Sequence, residues 1–361
     1  MKRLDRYIIS KYLTTFFFVV LIFTLIAVVI DFSDKVDEFI SKPITAWQIL
    51  TEYYINFIPY INGLLWPLYA MIAVIFFTSR LAYNSEIISI FGAGVSFQRL
   101  TLPYLAAAIV ISGLHLFANH YVIPKGNKAR LAFEYAYIWE GHDKSKSSNI
   151  HMFLSPETKV YVRYYSRKDT VARDFRLETY DGLELRHLLK AKRAEWRGDT
   201  VGWQLTDYEQ RSFSGLDETL KVGRGERIDT LINLLPADFV RFASQREMMT
   251  TPELQEFINI ERARGLGNTK LYEIEIHRRT AEPFTIIILT LIGLAVASRK
   301  VRGGMGLHLA IGIALGAIFI FMSKFSITFA TNKALSAWLG VWIPNIIFSV
   351  VAGYLLLRAQ K

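Results

Sequence analysis

Six apolar segments, three before and three after a long polar block, constrain this chain more than any other feature of its sequence. The segments are Thr14–Ile30, Ile55–Ser79, Thr101–Ile123, Pro283–Ser298, Leu307–Phe329 and Leu335–Leu357. A helix rises ~1.5 Å per residue, so about 20 residues cross the ~30 Å hydrocarbon core of a bilayer. Pro283 opens a short segment, but the helical pattern before it supplies the missing turn. The layout predicts a polytopic α-helical membrane protein with six transmembrane helices and one large inserted domain.

The distribution of charge predicts the orientation. If the N-terminus is cytoplasmic, the short segments on that side carry 11 Lys and Arg against two acids, Asp5 and Glu86. Those cations are Lys2, Arg3, Arg6, Lys11, Arg80, Arg99, Arg299, Lys300, Arg302, Arg358 and Lys361. The block Pro124–Ile276 is nearly balanced, with 25 Lys and Arg against 24 Asp and Glu. The positive-inside rule therefore places both termini in the cytoplasm and the block outside it. The net charge of +10 reflects topology, so no nucleic-acid partner is expected.

The first apolar segment follows basic residues, as the apolar region of a signal peptide does. It is long for that role, and it ends in Ile30-Asp31-Phe32-Ser33-Asp34 without a small-residue cleavage pattern. We interpret it as a retained anchor. The chain has no cysteine, which excludes disulfide and thiol chemistry and requires the outer domain to be held by its own core.

The polar block is predicted to be rich in β-structure. Lys159–Tyr165 and Arg173–Tyr180 are dense in β-branched and aromatic residues. Turn signals follow at Asp181-Gly182, Arg197-Gly198-Asp199, Ser214-Gly215 and Gly223-Arg224-Gly225. This spacing favours an antiparallel sandwich or jelly roll.

Two helices are predicted after the strands. Thr251 is a candidate N-cap with Pro252 at the first helical position, and Gly265 ends that helix. A second helix begins near Asn268 and continues into the fourth span. The predicted domains are 1–123 (spans one to three, with a short helix at 85–92), 124–250 (β-jellyroll-like), 251–276 (helical connection) and 277–361 (spans four to six).

The one sizeable inside segment joins spans two and three. Ser85 can cap a short helix there, Glu86 favours its first turn, and Gly92 or Gly94 ends it. The apolar residues Ile87, Ile90 and Phe91 share one face. Such a helix could dock into the groove of a partner, or it could lie on the membrane surface as an amphipathic helix. Both interpretations remain open on residue chemistry alone.

No motif for catalysis, nucleotide binding or metal binding is found. Gly265–Lys270 lacks the P-loop spacing, and the seven histidines show no metal-ligand spacing. We expect no catalytic residue, metal or cofactor. Asn56, Asn62 and Gly63 are interpreted as helix-packing residues. Lys324 lies inside a span, where a charge usually faces a cavity or a partner, although it could also snorkel to the interface.

Several motifs resemble the YjgP/YjgQ family, the LptF and LptG permeases of lipopolysaccharide export. These are Pro59…Pro67-Leu68, Asn84-Ser85-Glu86-Ile87 and Gly94-Val95-Ser96. Two further regions are similar to LptG members in particular: Leu4-Asp5-Arg6-Tyr7-Ile8, and the stretch with Glu275, His277, Arg278, Pro283, Arg299 and Arg302-Gly303-Gly304. The resemblance covers the whole chain.

The resemblance implies an ABC-type exporter in the bacterial inner membrane. Its permease subunits form a LptF–LptG heterodimer that docks on two copies of the LptB ATPase and associates with the bitopic protein LptC. The complex extracts lipopolysaccharide from the outer leaflet and passes it to a periplasmic β-jellyroll bridge. ATP would be hydrolysed by the partner, and Ser85, Glu86, Ile87, Ile90 and Phe91 would form the coupling helix.

The resemblance also implies that spans one and five line the lipid path. Their apolar residues are Phe23, Ile26, Ile30, Leu315, Phe319 and Met322. Phe348 in span six is expected instead to face ordinary bilayer lipid. Lys324 is the first candidate for the lipid phosphates, with Lys35 and Lys42 behind it. Those two lysines are interleaved with acids, as in a solvated turn, so phosphate complementarity is weaker than the family suggests unless Lys324, Arg278 and Arg279 contribute.

Three classes of function can be distinguished. A lipid-modifying enzyme would need a catalytic constellation, and a membrane-anchored periplasmic scaffold or binding protein would not need six spans. We therefore predict a permease subunit, with the scaffold as the alternative. The sequence does not decide between LptF and LptG, between a homodimer and a heterodimer, or the structure of the glycolipid.

The orientation gives a first prediction. Single cysteines introduced near Lys144 or Asp217 should react with membrane-impermeant reagents from the periplasmic side, whereas cysteines at Arg80, Arg99 or Lys300 should not, because the basic segments remain inside. Labelling near Lys300 in intact spheroplasts would contradict the orientation.

Overall fold

The computed structural model describes residues 3–138, 148–166, 169–198, 200–215, 217–239, 245–263, 269–299, 304–332 and 334–359. The helices are α1 Arg3–Ser41, α2 Ala46–Gln48, α3 Ile55–Tyr83, α4 Glu86–Gly92, α5 Phe97–Phe117, α6 Ile123–Phe133, α7 Gln245–Met248, α8 Thr251–Ala263, α9 Lys270–Ala297, α10 Gly304–Thr331 and α11 Ala337–Ala359. The strands are β1 Ser148–Ser155, β2 Thr158–Ser166, β3 Val171–Asp181, β4 Glu184–Trp196, β5 Trp203–Ser214 and β6 Asp217–Thr230.

The described residues form six helices long and apolar enough to cross a membrane, which confirms the predicted fold class. The helices extend beyond the apolar segments: α1 continues to Ser41, and the third span continues from α5 through α6 to Ile138. Pro124 does not end that helix, because a π-helical segment, Ala118–Val122, precedes it and changes the local hydrogen-bonding pattern. The chain divides into two compact units, one containing Met1–Gly141, Glu247–Leu254 and Lys270–Lys361, the other His142–Arg246 and Gln255–Thr269.

Two prolines inside the spans leave carbonyls without their helical partner, and α5 with its continuation supplies the missing donors. A proline has no N–H, so the carbonyl four residues earlier is freed. Pro67 frees the carbonyl of Gly63, which accepts from His115 Nε2 at 2.9 Å. Pro283 frees the carbonyl of Arg279, which accepts from Asn119 Nδ2 at 3.4 Å. These bonds tie α3 and α9 to the third span.

The helical unit has a continuous apolar core built mainly by α1, α3, α5 and α9. Tyr12, Tyr69 and Tyr104 are at most 1% exposed within it. Close approach of α10 to α3 depends on small residues: a Cβ on Gly312 would lie 2.1 Å from Ile75 Cδ1. The Asn62 side chain accepts from Thr24 Oγ1 at 2.9 Å, in agreement with a packing role.

The start of α8 differs by one residue from the prediction. The carbonyl of Thr250 accepts the first helical bond from Leu254, so Thr250 and not Thr251 occupies the cap position. The backbone N–H of Thr250 donates to Glu253 Oε2 at 2.7 Å, as in a capping box, and this bond lowers the pKa of the Glu253 carboxyl. The Thr251 hydroxyl instead accepts from Arg279 at 3.2 Å.

The second unit contains a six-stranded antiparallel sheet whose strands pair in chain order, β1 to β6, as a meander. The predicted strands Lys159–Tyr165 and Arg173–Tyr180 lie within β2 and β3. Its apolar face includes Phe175 and Trp203, which are fully buried, and the Trp203 indole N–H donates to the Leu234 carbonyl at 2.7 Å. The β-rich prediction for the inserted block is confirmed.

A row of irregular residues crosses the sheet. Asn149, Asp174 and Asp207, in alternate strands, have positive φ angles of 50°, 51° and 53°. Gly225 in β6 (φ 73°) continues the row, and its N–H donates to Asp207 Oδ1 at 2.7 Å. The predicted turn at Gly223-Arg224-Gly225 is therefore wrong: the glycines form a bulge inside β6, where the β5–β6 register shifts.

Candidate functional site

A cavity of about 230 Å³ lies among the helices α3, α9, α10 and α11. Most of its wall is apolar, and includes Leu64, Leu68 and Phe319. Three charged residues, Arg278, Glu282 and Lys324, also line it. An apolar cavity with a few polar groups is the usual form of a ligand site. This cavity is the strongest candidate site in the described part of the helical unit.

The three charges of the cavity differ in their availability. Arg278 forms an ion pair with Glu275 (2.8 Å), and its Nε lies 3.8 Å from Glu282. Glu282 also accepts from Asn119 Nδ2 at 3.2 Å. The Lys324 side chain is exposed and makes no ion pair within 4 Å with a described residue. Lys324 is therefore the cation of this cavity that can receive an anionic group without breaking an ion pair.

Arg279 cannot serve in the same way. Its side chain is about 4% exposed, and its Nε donates to Glu275 Oε1 at 3.0 Å. It also donates to Thr251, as described above. Its charge is neutralised within the protein, and it ties α9 to the start of α8.

Lys35 is likewise neutralised, in a buried cluster at the end of α1. Its ammonium lies 2.6 Å from Asp31 Oδ1 and 3.2 Å from Glu134 Oε1, and it donates to the Tyr53 hydroxyl. Arg130 pairs with Glu134 at 2.8 Å, and Glu134 is almost completely buried. Two cations thus balance two carboxylates, so Lys35 is neither part of a solvated turn nor a free anion site. Lys42 is half-buried.

The predicted apolar lipid contacts lie on two different helices. On α1, Ile26 and Ile30 are exposed, whereas Phe23 is half-buried and stacks on Tyr69 at 5.2 Å. On α10, Leu315, Phe319 and Met322 are half-buried against the core. In their apolar segments, only 11% of α1 and 17% of α10 residues are buried, against 33–61% in the other four spans. Among the six spans, these two helices therefore leave the largest share of their apolar residues exposed.

One expectation about span six is wrong. Phe348 is expected from the sequence to face lipid, but it is 3% exposed and packs edge-on against Phe319 with ring centroids 5.0 Å apart. Asn345, three residues before Phe348, and Ala352, four residues after it, lie on the same buried face, and this polar and small pair was the signal that the sequence offered. Val350, 70% exposed, lies on the free face of α11.

The short helix between spans two and three is present as α4, but Ser85 does not cap it by its side chain. Ser85 adopts a left-handed conformation (φ 62°) because the chain reverses directly from the end of α3 into α4, and its side chain makes no capping bond. Gly94 (φ 81°) follows the helix end, as predicted. Of the predicted face, Ile87 is buried and Ile90 packs on the helical core, while Phe91 is partly exposed.

Glu86 lies at the start of α4 and remains partly exposed. Its two oxygens accept from Tyr7 and from Asn84, both at 3.3 Å. Beside it, Asp5 on α1 pairs with Arg99 on α5 at 2.7 Å. These bonds hold α1, α4 and α5 together at the end of the bundle where the predicted coupling segment lies.

The family model for the lipopolysaccharide export system permease LptF/LptG matches residues 6–358. The chain belongs to the LptF/LptG family. No curated protein sequence matches the chain. With its six apolar helices, this LptF/LptG member is a multi-pass inner-membrane protein and a permease subunit of lipopolysaccharide export. The closer likeness to LptG than to LptF stays a prediction.

Some expectations for this LptF/LptG chain lie outside the described residues. They concern Lys144, Lys300, Arg302, Gly303 and the end of the first helix of the connection near Gly265.

The sequence did not reveal every feature of the site. The partners of Lys35 include Glu134, 99 residues away, and no local pattern indicates that pairing. The sequence did offer one local signal for the rest of the cluster: Arg130 and Glu134 are four residues apart, a spacing that allows an ion pair along a helix.

The buried cluster gives a second prediction. Lys35→Met should destabilise the protein by about 3 kcal/mol, because it leaves two largely buried carboxylates, Asp31 and Glu134, with Arg130 as their one remaining cation. The midpoint of unfolding in mild detergent would measure the loss. Asp34→Asn, on the exposed side of the same helix, is the control and should change stability by less than about 0.5 kcal/mol. Equal effects of the two substitutions would contradict the proposed role of the cluster.

Proposed function

We propose that the chain is a permease subunit of an ABC-type exporter that extracts lipopolysaccharide from the outer leaflet of the inner membrane and passes it to a periplasmic bridge. A partner ATPase supplies the energy. The observation that carries the proposal is the free apolar surface of α1 and α10 in a member of the LptF/LptG family. A lipid with several acyl chains needs such a surface, since each buried methylene contributes ~0.8 kcal/mol.

In this proposal the acyl chains contact Phe23, Ile26 and Ile30 on α1 and Leu315, Phe319 and Met322 on α10. Lys324 receives a phosphate of the lipid, because it lies on α10 at the edge of the cavity and makes no ion pair within 4 Å with a described carboxylate, although Glu282 lines the same cavity. Charge-assisted bonds to phosphate are stronger than neutral hydrogen bonds. Lys35 and Lys42 are second candidates, since Lys35 would first have to leave Asp31 and Glu134.

The α3–α5 connection is proposed as the coupling segment. Ile87 and Ile90 anchor α4 to its own bundle, so the surface left for a partner consists of Glu86, Ile88 and Phe91, the last two of which are 55% and 37% exposed. A rigid helix presenting one acid and two apolar side chains fits a groove with a basic rim. The anchored apolar residues also favour docking over a helix that lies free on the membrane surface.

The proposed partners follow from the family. They are a second permease subunit of the LptF or LptG type, two LptB-type ATPase subunits and an LptC-type bitopic protein. Both termini would be cytoplasmic and the β-sheet unit periplasmic, as the charge distribution supports. The proposed boundaries remain 1–123, 124–250, 251–276 and 277–361, with the coupling helix at 85–92.

Glu86 provides a third prediction. Glu86→Ala should weaken ATPase docking or uncouple hydrolysis from export, and Glu86→Lys should be worse because it reverses the charge. Losing one partner of a desolvated pair typically costs ~2–5 kcal/mol. Co-purification of the ATPase and export activity would measure the effect.

Tyr7→Phe is the control for Glu86, because it removes the hydrogen bond to Glu86 but keeps the charge. It should retain docking. An export-competent Glu86→Lys variant with normal ATPase association would exclude a coupling role.

Crosslinking provides a fourth prediction. A photo-crosslinking residue at Phe319 or Ile26 should trap lipopolysaccharide, because both positions lie on the proposed lipid path. The same residue at Val350, on the exposed face of α11, should trap much less. Mass spectrometry of the adducts would measure the ratio, and equal trapping at the three positions would indicate ordinary bilayer contact.

A further inference from the structure

A groove of about 1030 Å³ on the β-sheet unit carries more positive than negative charge. Three acids line it, Asp174, Asp207 and Glu209. The cations that line it are Arg163, Arg176, Lys190, Lys192, Arg211 and Arg224. Half of these cations are therefore without a counterpart inside the groove.

Each of the three acids of the groove forms an ion pair with one of its cations. Arg163 pairs with Asp174 at 3.3 Å, and Lys192 lies 4.0 Å from Asp207. Arg211 pairs with Glu209 and also lies 3.0 Å from Glu218. In the described part of the unit, Arg176, Lys190 and Arg224 make no ion pair within 4 Å. These three residues are called the unpaired cations.

Two of the unpaired cations face each other across neighbouring strands. Arg176 on β3 is the register partner of Lys190 on β4. Like charges directly opposite in an antiparallel pair destabilise a sheet. Glu209 faces Lys190 from β5, but its carboxylate is held by Arg211. The sheet thus retains a repulsive pair that its own residues do not neutralise.

The row of residues with positive φ, which ends in the bulge of β6, also contains cations that line the groove. Arg163 and Lys192 lie in that row, beside Asp174 and Asp207 with their left-handed backbones. The bulge in β6 lies at Arg224, and a bulge redirects the side chains next to it. Arg176 is also oriented, since its guanidinium lies over the Tyr161 ring, 5.4 Å from the centroid.

We propose that this groove binds the phosphate groups of a phosphorylated saccharide, with Arg176, Lys190 and Arg224 as the contacting residues. Arginine presents a planar fork that matches phosphate, and lysine adds a compact charge. A bound phosphate would also relieve the repulsion between Arg176 and Lys190. The proposal rests on the proposed function, because the saccharide would be that of the exported glycolipid.

The test uses the purified full-length chain in detergent and isothermal titration calorimetry. The probe is deacylated, phosphorylated oligosaccharide prepared from lipopolysaccharide, compared with the same oligosaccharide after chemical removal of its phosphates. The phosphorylated probe should bind at least about tenfold more tightly. Equal affinities for the two probes would overturn the proposal, and so would equal binding of poly-glutamate, which would indicate an acidic protein or any polyanion.

The double variant Arg176→Gln/Lys190→Gln should lose about tenfold or more in affinity for the phosphorylated probe. Lys221→Gln/Arg227→Gln removes the same charge from exposed positions of β6 that do not line the groove, and it should bind as the parent does. An equal loss in both variants would overturn the proposal. If the double variant does not fold, the single variant Lys190→Gln is measured in its place, and it should also bind the phosphorylated probe more weakly than the parent does.

Stability separates binding from a structural role. Because the variants remove a repulsion, their midpoints of thermal unfolding should be unchanged or higher while affinity falls; a lower midpoint with unchanged affinity would overturn the proposal.

The proposed lipid path and the proposed phosphate-binding groove can fail separately. Loss of lipid trapping at Phe319 and Ile26 would refute the proposed lipid path and leave groove binding measurable, whereas weak groove binding in a chain that traps lipid would refute only the groove.

Discussion

A bilayer offers no hydrogen-bond partners to the backbone, so every interruption of a spanning helix must be satisfied within the protein. In this chain His115 and Asn119 meet that requirement for the carbonyls freed by Pro67 and Pro283. Both donors belong to the third span. Together with the apolar core, these two bonds tie α3 and α9, which line the charged cavity, to the third span.

Buried charge follows the same rule. A charge removed from water is tolerated when a partner neutralises it. Lys35 and Arg130 balance Asp31 and Glu134, and Arg279 balances Glu275. Lys324 differs, because no described carboxylate pairs with it at the edge of an apolar cavity. The arrangement separates cations that hold the bundle together from a cation available to a ligand.

Much of the fold could be predicted because its signals are local. The six apolar segments, the strands around Lys159 and Arg173, and the short helix that begins at Glu86 all depend on residues close in sequence. Long-range pairing could not be predicted: nothing near Lys35 indicates Glu134. The predicted orientation of Phe348 was wrong because it rested on the apolar character of that residue alone, whereas the polar Asn345 one turn earlier lies on the same buried face.

The central claim is that an ATPase drives this LptF/LptG-family permease, and the most direct measurement is which proteins leave the membrane with a tagged form of the chain in mild detergent. The account predicts an ABC-type ATPase in roughly stoichiometric amount, together with a second permease subunit. Recovery of lipid-modifying enzymes alone, or of no partner, would contradict it.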